Sequence, residues 1–133
     1  YRALRRGGRR RAVLATNVAE TALTVEGVTL VIDSGLARSN RFDAKHGLNR
    51  LALTRISRAS AEQRAGRAGR LAPGRCLRLW TAGEQEARLP YELPEIRRLD
   101  LADIVLELRA WGLAEPRALA WLDPPPEAAL ARA

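Results

Sequence analysis

Ser60-Ala61-Glu62-Gln63-Arg64-Ala65-Gly66-Arg67-Ala68-Gly69-Arg70 is the stretch on which the reading of this chain turns. Ser60 and Gln63 have capping-box spacing, alanines recur, and Leu71-Ala72-Pro73-Gly74 is a stop signal, so a helix is predicted over 60–70. At 100° per residue, Gln63, Arg67 and Arg70 then fall within about 60° of one another and share a face. Gly66 and Gly69 lie on a neighbouring face, and each costs about 1 kcal/mol relative to alanine in a helix interior. Close approach of a backbone or a ligand to the bare helix surface would offset that cost. Two guanidinium forks one turn apart suit the oxygens of a triphosphate, which is arginine-finger geometry. The plainer alternative is a solvated basic helix face.

Upstream, the apolar run Ala12 to Ala15 reads as a buried strand and Val28 to Asp33 as another, with Gly27 at the turn before it. Val18 to Leu23 can form about one helical turn between them. Two strands joined by a short helical crossover predict an α/β fold with a parallel sheet. Thr16 and Asn17 follow the first strand directly, at the edge where α/β sheets bind ligands; they either read phosphate oxygens or cap the next turn. Residues 38–58 carry polar and basic side chains with a turn signal at Lys45-His46-Gly47, and predict a projecting β-hairpin.

Downstream, Cys76 to Trp80 reads as a further strand, and Thr81 with Glu84 makes a second capping box. Leu101, Ile104, Val105, Leu108 and Trp111 recur at helical spacing, with Asp100 placed to cap and Gly112 to terminate. That stripe is expected to be core. Asp123-Pro124-Pro125-Pro126 resembles a linker, and Glu127 to Ala133 would begin another helix.

The whole chain bounds what these elements can do. Its 133 residues, 47% hydrophobic, amount to about one domain. It begins at Tyr1 and contains no methionine, which suggests an excised piece. No uncharged run approaches the roughly 20 residues of a membrane span, so a soluble chain is expected. Cys76 is the single cysteine, excluding an internal disulfide or a structural zinc site and fitting a reducing cytoplasm; His46 is the single histidine, excluding a His-based triad or multi-histidine metal site. Charge is uneven. The formal net charge of +8 divides into +12 over residues 1–78 and −4 over 79–133, so the first part suits a polyanion such as nucleic acid or nucleotide phosphate. Of the 23 basic residues 22 are arginine, which base composition alone could also produce.

Together, Thr16 to Gly27, Val31-Ile32-Asp33-Ser34-Gly35 and Ser60 to Arg70 resemble motif V, the strand after it and motif VI of the DEAH-box helicases of superfamily 2. Within that family, Arg78-Leu79-Trp80 and Leu122 to Pro126 resemble the later segments of the compact bacterial HrpB type. The resemblance covers about residues 11–133 and implies the following. Residues 12–90 are the C-terminal half of a second RecA-like domain, whereas residues 1–11, with six arginines and no apolar periodicity, read by composition as a basic irregular segment. Residues 91–123 are a helical extension, and 124–133 the start of a helical or winged-helix domain. Arg67 and Arg70 would be the arginine fingers, and Gln63 a polar contact near the γ-phosphate or attacking water. Thr24 and Glu26 would face the nucleotide and its ribose, Thr16 and Asn17 the backbone of single-stranded RNA or DNA, and the hairpin would act as a separating wedge. Ala22 stands where the family usually has serine, and Glu26 where aspartate is commoner. The chain lacks a Gly-x-x-x-x-Gly-Lys-Ser/Thr loop and an Asp-Glu-x-His motif, so Mg2+ and most of the ATP would be held by the first RecA-like domain of the same parent chain. This segment alone would be inactive. The alternative is a non-catalytic basic RNA-binding module.

Overall fold

The computed structural model describes residues 10–21, 25–70 and 72–133. The chain divides into two compact units, one of residues 1–38 and 53–92, the other of residues 39–52 and 93–133.

In the first unit, β1 (Leu30–Asp33) and β4 (Arg75–Arg78) form a parallel pair with Leu30 opposite Arg75 and Asp33 opposite Arg78. Arg75 N donating to Thr29 O and Leu79 N donating to Asp33 O extend the ladder at both ends, each at 2.9 Å. The helices α1 (Val18–Thr21) and α2 (Arg58–Ala65) pack on each other, and α2 packs on β1. Small residues make that approach possible: Ser60 and Ala61 are the buried positions of α2, and Ala61 is wholly inaccessible. A short α3 (Ala82–Glu86) follows β4, and its capping box is complete, with Glu84 N donating to Thr81 Oγ1 and Thr81 N donating to Glu84 Oε2. This is the expected α/β architecture, but the partners differ. The predicted strand at Ala12 to Ala15 does not form, and Leu14 is 99% exposed. A strand needs a neighbour to satisfy its amides, and among the described residues β1 takes β4, not this run, as its partner.

The hairpin forms where its turn signal places it, as β2 (Leu36–Asp43) and β3 (Leu48–Arg55). Asp43 builds the turn: its Oδ1 accepts from Lys45 N at 3.0 Å and its Oδ2 meets His46 Nδ1 at 2.7 Å and Arg50 Nη1 at 3.2 Å. Gly47 closes it with φ +66°. The His46 contact is the chief reason that the Asp43 carboxyl titrates below its ordinary value.

The second unit holds the outer part of the hairpin and the chain from Leu93 onward. Its core is Leu101, Val105 and Ala129, with Ile96, Leu130 and Ala133 packed against them. Helix α4 (Ala102–Ala110) starts where Asp100 Oδ1 accepts from Ala102 N, and ends in a Schellman motif, with Gly112 N donating to Arg109 O and Leu113 N to Leu108 O. Leu101, Val105 and Leu108 are buried as expected, whereas Ile104 and Trp111 are exposed, Trp111 by 79%. At 100° per residue Ile104 and Trp111 fall together on one flank of the stripe, farther from Leu101 than Val105 and Leu108 do. Helix α5 (Glu127–Leu130) forms near the end of the chain. The outer hairpin is fastened within this unit: Phe42 N donates to Arg98 O at 2.9 Å, Asp100 N to Asn49 Oδ1 at 2.9 Å, and the Arg132 guanidinium lies 4.5 Å from the centre of the Phe42 ring. No described helix is long and apolar enough to cross a membrane.

Candidate functional site

Helix α2 starts earlier and ends earlier than its sequence suggests. Ser57, not Ser60, is the N-cap: its Oγ accepts from Ser60 N at 3.1 Å. The next two amides are taken by distant carbonyls, Arg58 N donating to Leu89 O and Ala59 N to Pro90 O. Ser57 N itself donates to Glu92 Oε1 at 2.7 Å. At the other end Gly66 is the C-cap, after which Arg67 N bonds to Arg64 O and Ala68 N to Ala65 O. These tighter i to i−3 bonds replace the α-helix with turns. Arg67 and Arg70 therefore stand on the turns after α2, not on the helix expected over 60–70, and Gly66 and Gly69 do not carry an interior-glycine cost. The close backbone approach lies at Gly74, where a Cβ would run into the backbone of Ala68.

Gln63, Arg67 and Arg70 nevertheless come together. With Gly66 they line one side of an open cavity of about 390 Å³, whose other side is Glu20 and Thr21 of α1. Arg67 Nη2 donates to the Glu20 carbonyl oxygen. Glu20 is the one carboxylate on the wall, and its side chain is already engaged by Arg64 Nε at 3.0 Å. The cavity thus presents two guanidinium groups and an amide, a donor set for an anionic group and not for a metal ion. Among the described residues no group of three or more carboxylate, histidine or cysteine side chains could hold one.

The other predicted site residues stand apart from this cavity. Thr16 and Asn17 are exposed at the start of α1, where their carbonyls accept from Ala19 N and Glu20 N. Glu26 is exposed in the turn before β1 and does not line the cavity. Thr24 and Ala22 lie outside the described residues, as does Leu23 of the predicted helical turn.

Two arginines that hold the site together were not singled out from the sequence. Arg64, its side chain 14% exposed, joins Glu20 to the end of β1 and the start of β2, with Nη1 at 3.0 Å from Asp33 Oδ1 and 3.1 Å from Leu36 O. Asp33 Oδ1 also accepts from Gly35 N at 2.9 Å. The available signal was Asp33 itself, a carboxylate at the end of an apolar strand, which cannot be buried without a cationic or amide partner. Arg88, 7% exposed, donates from Nη1 to Gly35 O at 3.0 Å and Ile56 O at 2.9 Å, and its guanidinium stacks 4.2 Å from the centre of the Trp80 ring. Burial lowers the proton affinity of Arg88, yet guanidinium basicity leaves it charged at neutral pH. Burial also pushes the Cys76 thiol up, which makes it a poor nucleophile.

The helicase conserved C-terminal domain family matches residues 1–72. The ATP-dependent RNA helicase HrpB of Escherichia coli (strain K12) is 49% identical over 119 residues, covering 90% of this chain and 15% of that protein. The probable ATP-dependent RNA helicase DHX34 of Homo sapiens is 44% identical over 123 residues, covering 92% of this chain and 11% of that protein. Among solved structures, that of the E. coli DExH-box NTPase HrpB superposes with a TM-score of 0.89 at 45% identity, covering 98% of this chain and 16% of the other. The chain thus spans 15% or less of the length of these curated relatives.

Proposed function

The chain belongs to the helicase conserved C-terminal domain family, and from that premise we propose that it supplies the arginine fingers and single-strand contacts of an ATP-dependent RNA or DNA helicase of the DEAH-box type. The observation that carries this reading is the cavity in which Gln63, Arg67 and Arg70 converge. Arg67 and Arg70 donate to the oxygens of a γ-phosphate held mainly by the first RecA-like domain of the same parent chain, where they stabilise charge that develops during transfer. Gln63 orients the phosphate or the attacking water, and Thr24 and Glu26 face the nucleotide. The wall offers a donor set for phosphate and no spare carboxylate; Mg2+ would be held by the first RecA-like domain, where it would neutralise phosphate charge. Thr16 and Asn17, exposed one turn away in sequence from the cavity residues Glu20 and Thr21, contact the backbone of the strand.

In this reading residues 12–90 are the C-terminal half of the second RecA-like domain, 91–123 its helical extension and 124–133 the start of a helical or winged-helix domain. The hairpin borders the emerging strand as a wedge. The single Cys76 fits a reducing cytoplasm. The test is Arg67→Ala and Arg70→Ala in the full-length protein. Each lowers ATP turnover by about 10³-fold or more, and near-wild-type turnover in both variants dismisses the assignment.

A further inference from the structure

Arg64 touches the cavity wall with one end of its guanidinium and the hairpin with the other. Its Nε holds the carboxylate of Glu20, the residue whose carbonyl receives Arg67. Its Nη1 holds Asp33 Oδ1 and the carbonyl of Leu36, the first residue of β2. Asp33 passes the connection on, since the same Oδ1 accepts from Gly35 N. Gly35 O then receives two donors, Ile56 N at 3.0 Å and Arg88 Nη1 at 3.0 Å, and Arg88 Nη1 also donates to Ile56 O. Gly35 immediately precedes β2 and Ile56 immediately follows β3, so a single guanidinium grips both legs of the hairpin at its root. Ile56 adjoins Ser57, the N-cap of α2, which carries Gln63 back to the cavity.

A closed circuit therefore links cavity and hairpin root: Glu20, Arg64, Asp33, Gly35, Arg88, Ile56 and α2. Its side-chain donors are the two guanidinium groups, planar and multiply donating, the property that separates arginine from lysine, and its carboxylates and backbone carbonyls accept from them. It is not fully satisfied: among the described residues Asp33 Oδ2, Arg64 Nη2 and Arg88 Nε are buried without a hydrogen-bond partner. A buried network with donors and an acceptor to spare has the means to adopt a second pairing, which a fully satisfied one lacks.

We propose that Arg64 and Arg88 are positioning residues that couple the phosphate-facing cavity to the hairpin root, so that replacing either uncouples nucleotide hydrolysis from strand separation. The proposal rests on the helicase reading above. Neither side chain lines the cavity, so neither touches the reacting phosphate. Movement of Glu20 as the cavity closes is passed through Arg64 to Leu36 and Asp33, and through Gly35 to the pair of backbone carbonyls that Arg88 holds.

The experiment uses the full-length protein with Arg64→Lys and, separately, Arg88→Lys, which keep the charge but cannot span the same acceptors. ATP hydrolysis and duplex separation are measured on the same preparations, alongside thermal melting. Each variant is expected to hydrolyse ATP within about threefold of the unsubstituted protein while separating about tenfold fewer base pairs per ATP consumed, the size of effect that coupling residues produce. An unchanged ratio, or two rates that fall in the same proportion, overturns the proposal. If Arg64→Lys does not fold, Arg88→Lys carries the same expectation from the other end of the circuit. Failure of the helicase reading looks different: Arg67→Ala would then leave hydrolysis intact.

Discussion

Arg64 Nη1 lies 3.0 Å from Asp33 Oδ1, and this pair, 31 residues apart in sequence, closes α2 onto the end of β1. The Asp33 side chain is 3% exposed and that of Arg64 14%, so neither charge is well solvated. Removing one partner of such a pair leaves the other charge buried alone, which costs about 3–5 kcal/mol. Arg64→Ala is therefore expected to destabilise the chain by that amount, as read from chemical denaturation, whereas Arg58→Ala, at an exposed position of the same helix, should cost under about 0.5 kcal/mol. Equal losses would mean that the ion pair contributes nothing specific.

Gly35 is the tightest point of the hairpin root. It has φ +71°, and a Cβ there would collide with Arg88 Nη2 and stand 2.7 Å from Trp80 Cε3. Gly47, at the other end of the hairpin, has a similar φ of +66° with nothing within 4 Å. Gly47→Ala carries conformational strain alone, about 1–2 kcal/mol. Gly35→Ala carries the same strain and also displaces a buried guanidinium, a total of about 3–5 kcal/mol. Melting temperatures of the two variants should separate clearly, and coincident values would remove the Arg88–Trp80 contact from the account.

Elements whose determinants are local were legible in the sequence. The Thr81–Glu84 box, the Gly112 stop and the Lys45-His46-Gly47 turn each form with the predicted residues in the predicted roles, and Asp100 accepts from the first amide of α4 although Leu101, not Asp100, is the N-cap. Several of the failures share one cause, a distant partner. Ala12 to Ala15 has strand composition but no described neighbour to pair with. The start of α2 is decided by the carbonyls of Leu89 and Pro90, about thirty residues on in the chain, which favour Ser57 over Ser60 as the cap. Arg64 and Arg88 are two among 22 arginines, and nothing in their local spacing marks them out. The convergence of Gln63, Arg67 and Arg70 was anticipated on a helix that stops at Ala65; the tighter turns that follow still bring the two arginines to one cavity wall.

The hairpin turn makes a prediction about pH. Asp43 is held below its ordinary value of 3.8, first by His46 and then by the Lys45 amide and Arg50. Because the folded carboxyl is the more acidic, its contribution is present above the ordinary value and is lost as pH falls through the depressed one. Carboxyl NMR of labelled aspartate should place the Asp43 midpoint below 3.8. His46→Ala should move that midpoint upward without restoring it fully, since the amide and Arg50 remain. A midpoint that ignores His46 would show that the 2.7 Å contact is not formed in solution.

Helix α4 tests whether its apolar stripe is core throughout. Leu101, 2% exposed, sits at the centre of the second unit's core with Val105 and Ala129, so Leu101→Ala deletes packed methyl groups and leaves a cavity, at a cost of about 2–5 kcal/mol. Trp111 has the same helical spacing, yet it is 79% exposed, on the flank of the stripe where Ile104 is exposed as well. Trp111→Ala should change stability by no more than about 0.5 kcal/mol despite removing the larger side chain. A variant retaining Trp111 as its sole tryptophan should emit at long wavelength and be quenched readily by acrylamide. A costly Trp111→Ala with blue-shifted emission would instead put that ring under cover, against a surface that the rest of the parent protein provides.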